Sequence, residues 1–252
     1  EFMMEILPYV DFEKLKQAKP KYFVGYSDNT NLTFTLTTIA DICSIYSYHI
    51  GEYCPSRWGD SLKETYEVLR GRRDTVVSKK YTEKPWQKHE PDEALKNFRC
   101  HTKNTWKILN GEEVHVSGRL IGGCLDCLIT LCGTPYDNVK EFTERYREDG
   151  IIWYLECYDL NIFDQGRALW QLKQAGWFSR CKAVLLGRPM QRDTLFGITY
   201  EENLHDFLDD LQVPVVYDID VGHVPPSVPM KNVTVAEVTV KDGAGTIRMI
   251  EK

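Results

Sequence analysis

The sequence predicts an α/β fold, because apolar runs of strand length alternate with segments of helical periodicity along most of its 252 residues. The run IIWYLE at 151–156 is continuously apolar up to its glutamate, as is typical of a buried strand, and CKAVLLGRP at 181–189 predicts another strand closed by Gly-Arg-Pro. The tail places VTVAEVTV and TIRMI on either side of KDGAG, which predicts an antiparallel β-hairpin. A mixed sheet with packed helices is therefore expected.

The first elements in chain order form a small unit. Residues 10–18 predict a short helix that is capped by Asp11. KYFV at 21–24 has the composition of a short strand, and GYSDNT at 25–30 follows it as a tight turn. The next stretch, NLTFTLTTIADICSIY, has helical length, although its threonines lower its helix propensity. A strand, a turn and a helix are therefore predicted, and a second, amphipathic helix comes after them at 60–73.

The middle of the chain differs in composition from the C-terminal half. Residues 74–117 are polar and interrupted by Pro85 and Pro91, which predicts a linker with irregular or short β structure. From residue 118 onwards, strands and helices alternate without an internal repeat. The predicted strands lie at 118–123, 151–156, 181–189 and 213–223, and the predicted helices lie at 124–134, 138–148, 164–177 and 200–211.

Composition and charge exclude several classes of protein. Hydrophobic residues make up 42 % of the chain and charged residues 27 %, so the chain can bury a core and a disordered chain is excluded. No apolar run reaches the roughly 18 residues that span a bilayer, and no signal peptide is recognisable. We therefore expect a cytoplasmic protein with no membrane partner. The net charge of -6 argues against a broad nucleic-acid surface, so no nucleic-acid partner is expected.

The chain contains eight cysteines, a density too low for a disulfide-stapled scaffold. Several stand in apolar runs, as Cys132 and Cys157 do, so free thiols are expected. Cys124 and Cys127 form a CxxC pair that could bind a metal or act in redox chemistry, but a structural zinc site needs two further ligands and no second CxxC pair is present. The alternative is that both thiols pack against the sheet, and no metal or organic cofactor is expected.

Three polar side chains stand at the ends of predicted strands. Ser27 lies in a turn before a helix, where free backbone N–H groups could stabilise an oxyanion; alternatively, Ser27 or Asp28 simply caps the helix. Glu156 ends an apolar strand and needs a partner if it is buried, unless it points into solvent. His223 follows another apolar strand and suits a general base, unless its hydrogen bond is only local.

Together these three residues indicate nucleophilic catalysis. Ligands of open α/β sheets bind at the carboxyl ends of the strands, where all three residues are expected. The chain order Ser, Glu, His is one of the known orders of catalytic triads. In such a triad, His223 would take the proton from Ser27 Oγ, and Glu156 would orient the imidazole and stabilise its charged form.

Five longer segments carry a more specific signal. They are KPKYFVGYSDNTNL at 19–32, GRLIGGCLDCLITLCGTPYD at 118–137, GIIWYLECYDLN at 150–161, RALWQLKQAGWF at 167–178 and DIDVGHVPP at 218–226. In sequence and in order along the chain, these segments resemble the serine peptidase family of LD-carboxypeptidases and microcin-C self-immunity peptidases. They span nearly the whole chain, which makes the resemblance specific.

The resemblance implies a role for each candidate residue. Ser27 would be the nucleophile, Glu156 and His223 would complete the triad, and the backbone amide of Asp28 would supply one oxyanion donor. The reaction would be acyl transfer through an acyl-enzyme, without a cofactor. The substrate would be a small peptide or a peptide-nucleotide: either the amide between an L-centre and a D-amino acid in cell-wall peptides, or the aminoacyl-nucleotide amide of a microcin. A homodimer is expected.

The resemblance also predicts how the chain is divided. Residues 1–65 would be a truncated, Rossmann-like N-terminal domain that carries the nucleophile, and residues 66–95 would be a linker. Residues 96–252 would be a C-terminal α/β domain with a mixed sheet, which carries Glu156 and His223. The active site would then lie between the two domains.

Three departures from the family pattern support an alternative, a catalytically impaired fragment or a binding module. Cys124 follows Gly122 and Gly123 where the family usually has asparagine, and Cys157 follows the triad glutamate where the family often has aspartate. The family also has a further N-terminal segment that supplies a second oxyanion donor, and we expect its counterpart to be missing before LPYVDF. Loss of such a donor would lower the rate by about a hundredfold or more.

Several further residues are candidates for contact with the substrate. Gly122 and Gly123 would let a substrate backbone approach closely, or they would only form the turn into a helix. Trp106, like Trp86, is expected to be an exposed aromatic that stacks on a substrate ring, as a loop tryptophan does in the microcin-immunity branch; packing between domains is the alternative. Arg167 and Arg188 could each pair with a substrate carboxylate, or each could form a surface salt bridge.

Overall fold

The computed structural model of the chain describes residues 2–19, 21–55, 58–85 and 98–251. Trp86 lies outside these ranges. The strands are β1 Ile45–Tyr46, β2 Thr75–Val77, β3 Tyr81–Thr82, β4 Thr102–Lys103, β5 Lys107–Ile108, β6 Glu113–Cys124, β7 Ile151–Glu156, β8 Cys181–Gly187, β9 Val215–Ile219, β10 Met230–Lys231, β11 Val235–Lys241 and β12 Ala244–Ile250. The α-helices are α1 Phe12–Gln17, α2 Thr30–Thr38, α3 Asp60–Leu69, α4 Leu125–Leu131, α5 Val139–Arg145, α6 Ile162–Gln174 and α7 Tyr200–Leu208. Within the described ranges, no helix has the length and apolar character needed to cross a membrane.

Eight strands form one mixed sheet in the order β2–β12–β11–β6–β7–β8–β9–β5. The four strands β6 to β9 are parallel, and the strands outside them pair antiparallel. Parallel neighbours require a crossover connection, and helices α4 to α7 supply these connections here. The carboxyl ends of β6 to β9 therefore meet at one edge of the sheet, and the predicted α/β class with a mixed sheet is confirmed.

The predicted C-terminal hairpin is confirmed. Strands β11 and β12 pair in register from Val235 opposite Ile250 to Lys241 opposite Ala244. Asp242 and Gly243 form the turn with φ values of 51° and 75°, and two successive positive φ values match the twist of a tight hairpin.

The first unit is shorter than the sequence predicts. Of residues 21–24, only Val24 takes part in strand pairing, through a parallel bridge to Ile45. Helix α2 ends at Thr38, and Asp41, with a φ of 60°, then turns the chain towards β1. The predicted order of strand, turn and helix is right, but the strand is reduced to one bridge.

Three stacked rings form the centre of the larger core. Phe34 of α2 lies 5.2 Å from Trp177 between ring centroids, and Trp177 lies 5.5 Å from Trp153 of β7. All three side chains are fully buried. Helices α4 to α7 contribute their apolar faces to the same core, while a second core on the other side of the sheet includes Tyr154. Residues on both sides of the proposed boundary at 65 thus share a core, and the division into domains stays a prediction.

Candidate active site

Ser27 occupies a strained turn immediately before α2. It begins a 3-10 turn, Ser27–Asn29, and its φ of 59° is a left-handed value that residues other than glycine rarely adopt. Gly25 permits the turn, because a Cβ atom there would lie 2.7 Å from the Asn29 side chain. Neither the 3-10 turn nor α2 has a side-chain capping hydrogen bond at its start. A serine held in this way before a helix has the backbone arrangement of a nucleophile elbow.

Glu156 and His223 form a buried hydrogen-bonded pair. Glu156 ends β7 and is 1 % exposed, and its Oε2 lies 2.8 Å from His223 Nδ1. Gly222, with a φ of 106°, permits this approach, because a Cβ atom there would lie 2.4 Å from Glu156 Oε2. Burial alone would raise the pKa of the Glu156 carboxyl, but His223, Tyr46 and Cys124 together hold the pKa below its ordinary value. The carboxylate is therefore ionised and can stabilise an imidazolium.

Tyr46 connects the serine turn to this pair. Its side chain is fully buried, and its hydroxyl donates to Glu156 Oε1 while accepting from the Ser27 backbone N–H at 3.1 Å. Tyr46 is not among the residues predicted from the sequence, because its partners lie 19 and 110 positions away and no local pattern marks it. One phenol thus fixes the turn and the carboxylate relative to each other.

Replacing Tyr46 by phenylalanine should lower the rate of Ser27 acylation by about tenfold to a hundredfold without unfolding the chain. The change leaves the Glu156 carboxylate with one hydrogen bond fewer and the Ser27 amide without an acceptor, a loss of about 1–3 kcal/mol in positioning. The measurement is the rate of labelling by a fluorophosphonate probe. Tyr154→Phe is the matched control, since its buried hydroxyl donates to Asn232 at 2.8 Å. Equal rates for the two variants would contradict the proposed role of Tyr46.

A cavity of about 350 Å³ opens beside the serine turn. Ser27, Asp28 and Tyr158 are among its lining residues. The ring of His223 lies between two tyrosines, with centroid distances of 4.5 Å to Tyr158 and 5.1 Å to Tyr26. Tyr26 directly precedes the serine, so these rings place the imidazole beside the turn and next to the cavity wall.

Gly122 and Gly123 are both explained by packing. A Cβ atom on Gly122 would lie 1.7 Å from the Tyr154 carbonyl oxygen, so β6 and β7 could not pair as they do. A Cβ atom on Gly123 would lie 2.5 Å from Thr30 Cγ2, and the Thr30 hydroxyl accepts from the Cys124 amide at 3.0 Å. Gly122 therefore lets β7 pair closely with β6, and Gly123 lets α2 pack against the end of β6. Their contact with a substrate stays a prediction.

The expectation that Trp106 is exposed is wrong. Its side chain is 1 % exposed, its ring contacts Gly245 closely, and its Nε1 donates to Asp220 Oδ2 at 2.8 Å. A ring packed in the core on all sides has no free face for a substrate, so Trp106 is a packing residue. That it packs between domains stays a prediction.

Arg188 is a buried structural residue and not a surface one. Its guanidinium is 2.6 Å from the Asp220 carboxylate, and both side chains are almost fully buried. It also donates to the carbonyl oxygens of Val224 and Pro226 at 2.8 Å and 2.6 Å. Both acceptors follow His223, so Arg188 holds the loop that carries the imidazole.

All eight cysteines are free thiols, as the sequence predicts. Cys124 and Cys157 are buried, and Cys127 is half-buried in the wall of the cavity, where its thiol donates to the Ser27 carbonyl oxygen at 3.6 Å. The CxxC pair therefore belongs to the same region as the serine turn.

The candidate site lies at the carboxyl ends of parallel strands, as ligand sites of α/β enzymes do. Two family models match this chain. The model of the LD-carboxypeptidase N-terminal domain matches residues 1–47, and the model of the LD-carboxypeptidase C-terminal domain matches residues 117–238. Together the matches cover more than half of the chain in the expected order. The chain belongs to the LD-carboxypeptidase family.

Individual proteins agree with this assignment. YocD of Bacillus subtilis, a carboxypeptidase by name, is 27 % identical over 226 residues, which are 88 % of this chain and 65 % of YocD. The chain thus spans less than two thirds of that relative. The solved structure of a muramoyltetrapeptide carboxypeptidase from Oxalobacter formigenes has a TM-score of 0.72 and 22 % sequence identity to this chain. The match covers 97 % of this chain and 73 % of the Oxalobacter chain. An MccF-like protein from Streptococcus pneumoniae, solved in complex with AMP, has a TM-score of 0.72 and 22 % sequence identity. The match covers 98 % of this chain and 75 % of the Streptococcus chain.

Proposed function

We propose that this protein is a serine carboxypeptidase that hydrolyses amide bonds through an acyl-enzyme. The observation that carries the proposal is the buried pair of Glu156 and His223, which Tyr46 ties to the strained turn of Ser27. A buried, ionised carboxylate on Nδ1 fixes the imidazole tautomer, so that Nε2 can accept a proton. The family assignment supports the same chemistry.

In the proposed acylation, His223 Nε2 takes the proton of Ser27 Oγ as the oxygen attacks the substrate carbonyl carbon. The Asp28 amide would donate to the oxyanion, because the first N–H groups of a helical turn have no partner within that turn. The tetrahedral intermediate collapses when the C–N bond breaks, and the leaving amine takes the proton from His223. Glu156 stabilises the imidazolium between these two transfers. Water then hydrolyses the ester by the same route.

For the substrate, we propose a cell-wall peptide that ends in a D-amino acid joined to an L-centre. A solved relative of the same fold is named a muramoyltetrapeptide carboxypeptidase. The cavity of about 350 Å³ has the size of a short peptide terminus. Exposed linker tryptophans would favour an aminoacyl-nucleotide substrate; Trp106 is buried, and Trp86 lies outside the described residues. The peptide is therefore the first substrate to test.

A fluorophosphonate probe should label the wild-type protein covalently and stoichiometrically, whereas Ser27→Ala should remain unlabelled. Only a serine whose proton can be removed attacks such a probe at a useful rate. Labelling is read by intact-protein mass spectrometry, followed by peptide mapping. Ser179→Ala is the control, since this serine is exposed and lies outside the site.

Release of the terminal D-amino acid from a muramoyl tetrapeptide tests the proposed substrate.

The binding-module alternative predicts a different result. In that case the wild type and Ser27→Ala would behave alike towards the probe, while both would bind the tetrapeptide with the same affinity. Labelling of Ser27→Ala at the wild-type rate would overturn the assignment of the nucleophile.

A further inference from the structure

The thiol of Cys124 lies next to the Glu156–His223 pair. Cys124 ends β6 and stands directly opposite Glu156, the last residue of β7, in the parallel register. One donor atom from each of Cys124, Glu156 and His223 lies within 4.8 Å of the other two. Cys124 is 2 % exposed, and the Thr30 hydroxyl holds its amide. The sheet register itself therefore brings a sulfur, an oxygen and a nitrogen donor together.

A thiolate, a carboxylate and an imidazole form a donor set that suits Zn²⁺, whereas Mg²⁺ and Ca²⁺ prefer oxygen donors alone. In a tetrahedral zinc site the donors stand about 3–4 Å apart, so a contraction of about 1 Å would complete the site. Three protein ligands leave one position open, and one of the three, Cys124, is also part of the cavity wall. The geometry thus requires only small side-chain movements.

The electrostatics of the cavity favour a cation. Among the described residues, its lining contains three carboxylates, Asp28, Asp126 and Asp159, and no lysine or arginine. Asp126 Oδ2 lies 3.4 Å from Cys124 Sγ and accepts from the Tyr158 amide at 3.0 Å, so its position is fixed. These carboxylates would attract a divalent ion and offset its charge.

We propose that Cys124, Glu156 and His223 bind one Zn²⁺ ion, and that the bound ion blocks the serine hydrolase. On coordination the Cys124 thiol loses its proton to solvent. The carboxylate and one ring nitrogen of the neutral imidazole each donate a lone pair to the metal, and the imidazole proton stays on the other ring nitrogen. His223 can then no longer accept the proton of Ser27, and Glu156 no longer stabilises an imidazolium. The inhibition by Zn²⁺ rests on the proposed function, but the metal site itself does not.

The test is a zinc titration of the full chain after removal of bound metal, in competition with a chromophoric zinc chelator. We expect one Zn²⁺ per chain with micromolar or tighter affinity, and at least a hundredfold weaker binding for Cys124→Asn. Cys127→Ser and Cys132→Ser should stay within about threefold of the wild type. Thermal melts verify that each variant is folded. A wild type that takes up no zinc, or equal affinities for the wild type and Cys124→Asn, would overturn the site.

Two further readouts separate the parts of the proposal. Co²⁺ should give the wild type a thiolate-to-metal charge-transfer absorption that Cys124→Asn lacks, and its absence from the wild type would rule out sulfur ligation. Zn²⁺ should slow fluorophosphonate labelling of the wild type at least tenfold and should not slow labelling of Cys124→Asn. Equal slowing of both proteins would contradict inhibition through the proposed zinc site. If the metal-free protein does not label at all, the proposed hydrolase fails, while the titration still decides the zinc site.

Discussion

Replacing Glu156 by glutamine should lower kcat on a muramoyl tetrapeptide by at least about a thousandfold while leaving the chain folded. The amide has nearly the shape of the carboxylate but no charge, so it cannot stabilise an imidazolium. It can also present an N–H group to His223 Nδ1, which would favour the wrong tautomer. Because Glu156 is buried and held by fixed partners, its charge is not easily replaced by that of a solvent ion.

The control for this variant is Glu144→Gln, because Glu144 is exposed and pairs with Arg147 on the surface. It should keep wild-type kcat. A Glu156→Gln protein with more than a tenth of wild-type kcat would contradict the proposed role of the carboxylate in a catalytic triad. Tetrapeptide binding, measured separately, should change little, since the expected loss lies in the chemical step.

The same carboxylate should make stability depend on pH. The folded-state pKa of Glu156 lies below its ordinary value of 4.5, so its ionised form contributes stability that is fully present above that value. This stability is lost as the pH falls through the lowered folded-state pKa. Denaturant titrations should therefore show the stability difference between the wild type and Glu156→Gln shrinking on acidification below pH 4.5.

Gly122→Ala should destabilise the fold severely, by at least about 3 kcal/mol, and should lower Tm by roughly 6–12 °C. The added Cβ atom would lie 1.7 Å from the Tyr154 carbonyl oxygen and 2.9 Å from its ring. Both are parts of a buried central strand, so β6 and β7 must separate or the sheet must bend. Calorimetry or a thermal melt followed by circular dichroism measures the loss.

Gly51→Ala is the matched control, since a Cβ atom at this exposed position meets nothing within 4 Å. Its Tm should stay near that of the wild type. A Gly122→Ala protein with wild-type stability and impaired tetrapeptide binding would support the other interpretation, in which this glycine makes room for a substrate.

The sequence predicted best those elements whose pattern is local. The run at 151–156 is a buried central strand because all its side chains are apolar up to the glutamate. The hairpin turn is explained by Asp-Gly, which accepts positive φ at both positions. In contrast, β2 and β5 lie in the segment 74–117, for which only a linker with irregular or short β structure is predicted, and their pairing with β12 and β9 could not be predicted. Their own sequences, three and two residues long, carry no such signal.

In the candidate site, too, the sequence predicts some residues and not others. Strand ends pointed to Glu156 and His223, because a polar residue after an apolar strand is visible along the chain. The sequence predicts no role for Tyr46, and it does not predict that Arg188 is buried, because the hydrogen-bond partners of both residues lie far away in sequence. The burial of Trp106 likewise depends on Gly245 of β12, which leaves space for the indole. Such long-range packing cannot be read from one segment.

The stack of Phe34, Trp177 and Trp153 provides a built-in optical reporter. Phe34 belongs to the helix that begins three residues after Ser27, so any loosening of the turn that carries Ser27 would unstack the Phe34 ring from Trp177. Indole emission shifts to longer wavelength when water reaches the ring. The intrinsic tryptophan fluorescence of this protein should therefore report whether the segment that carries Ser27 is packed against the core, without any attached dye.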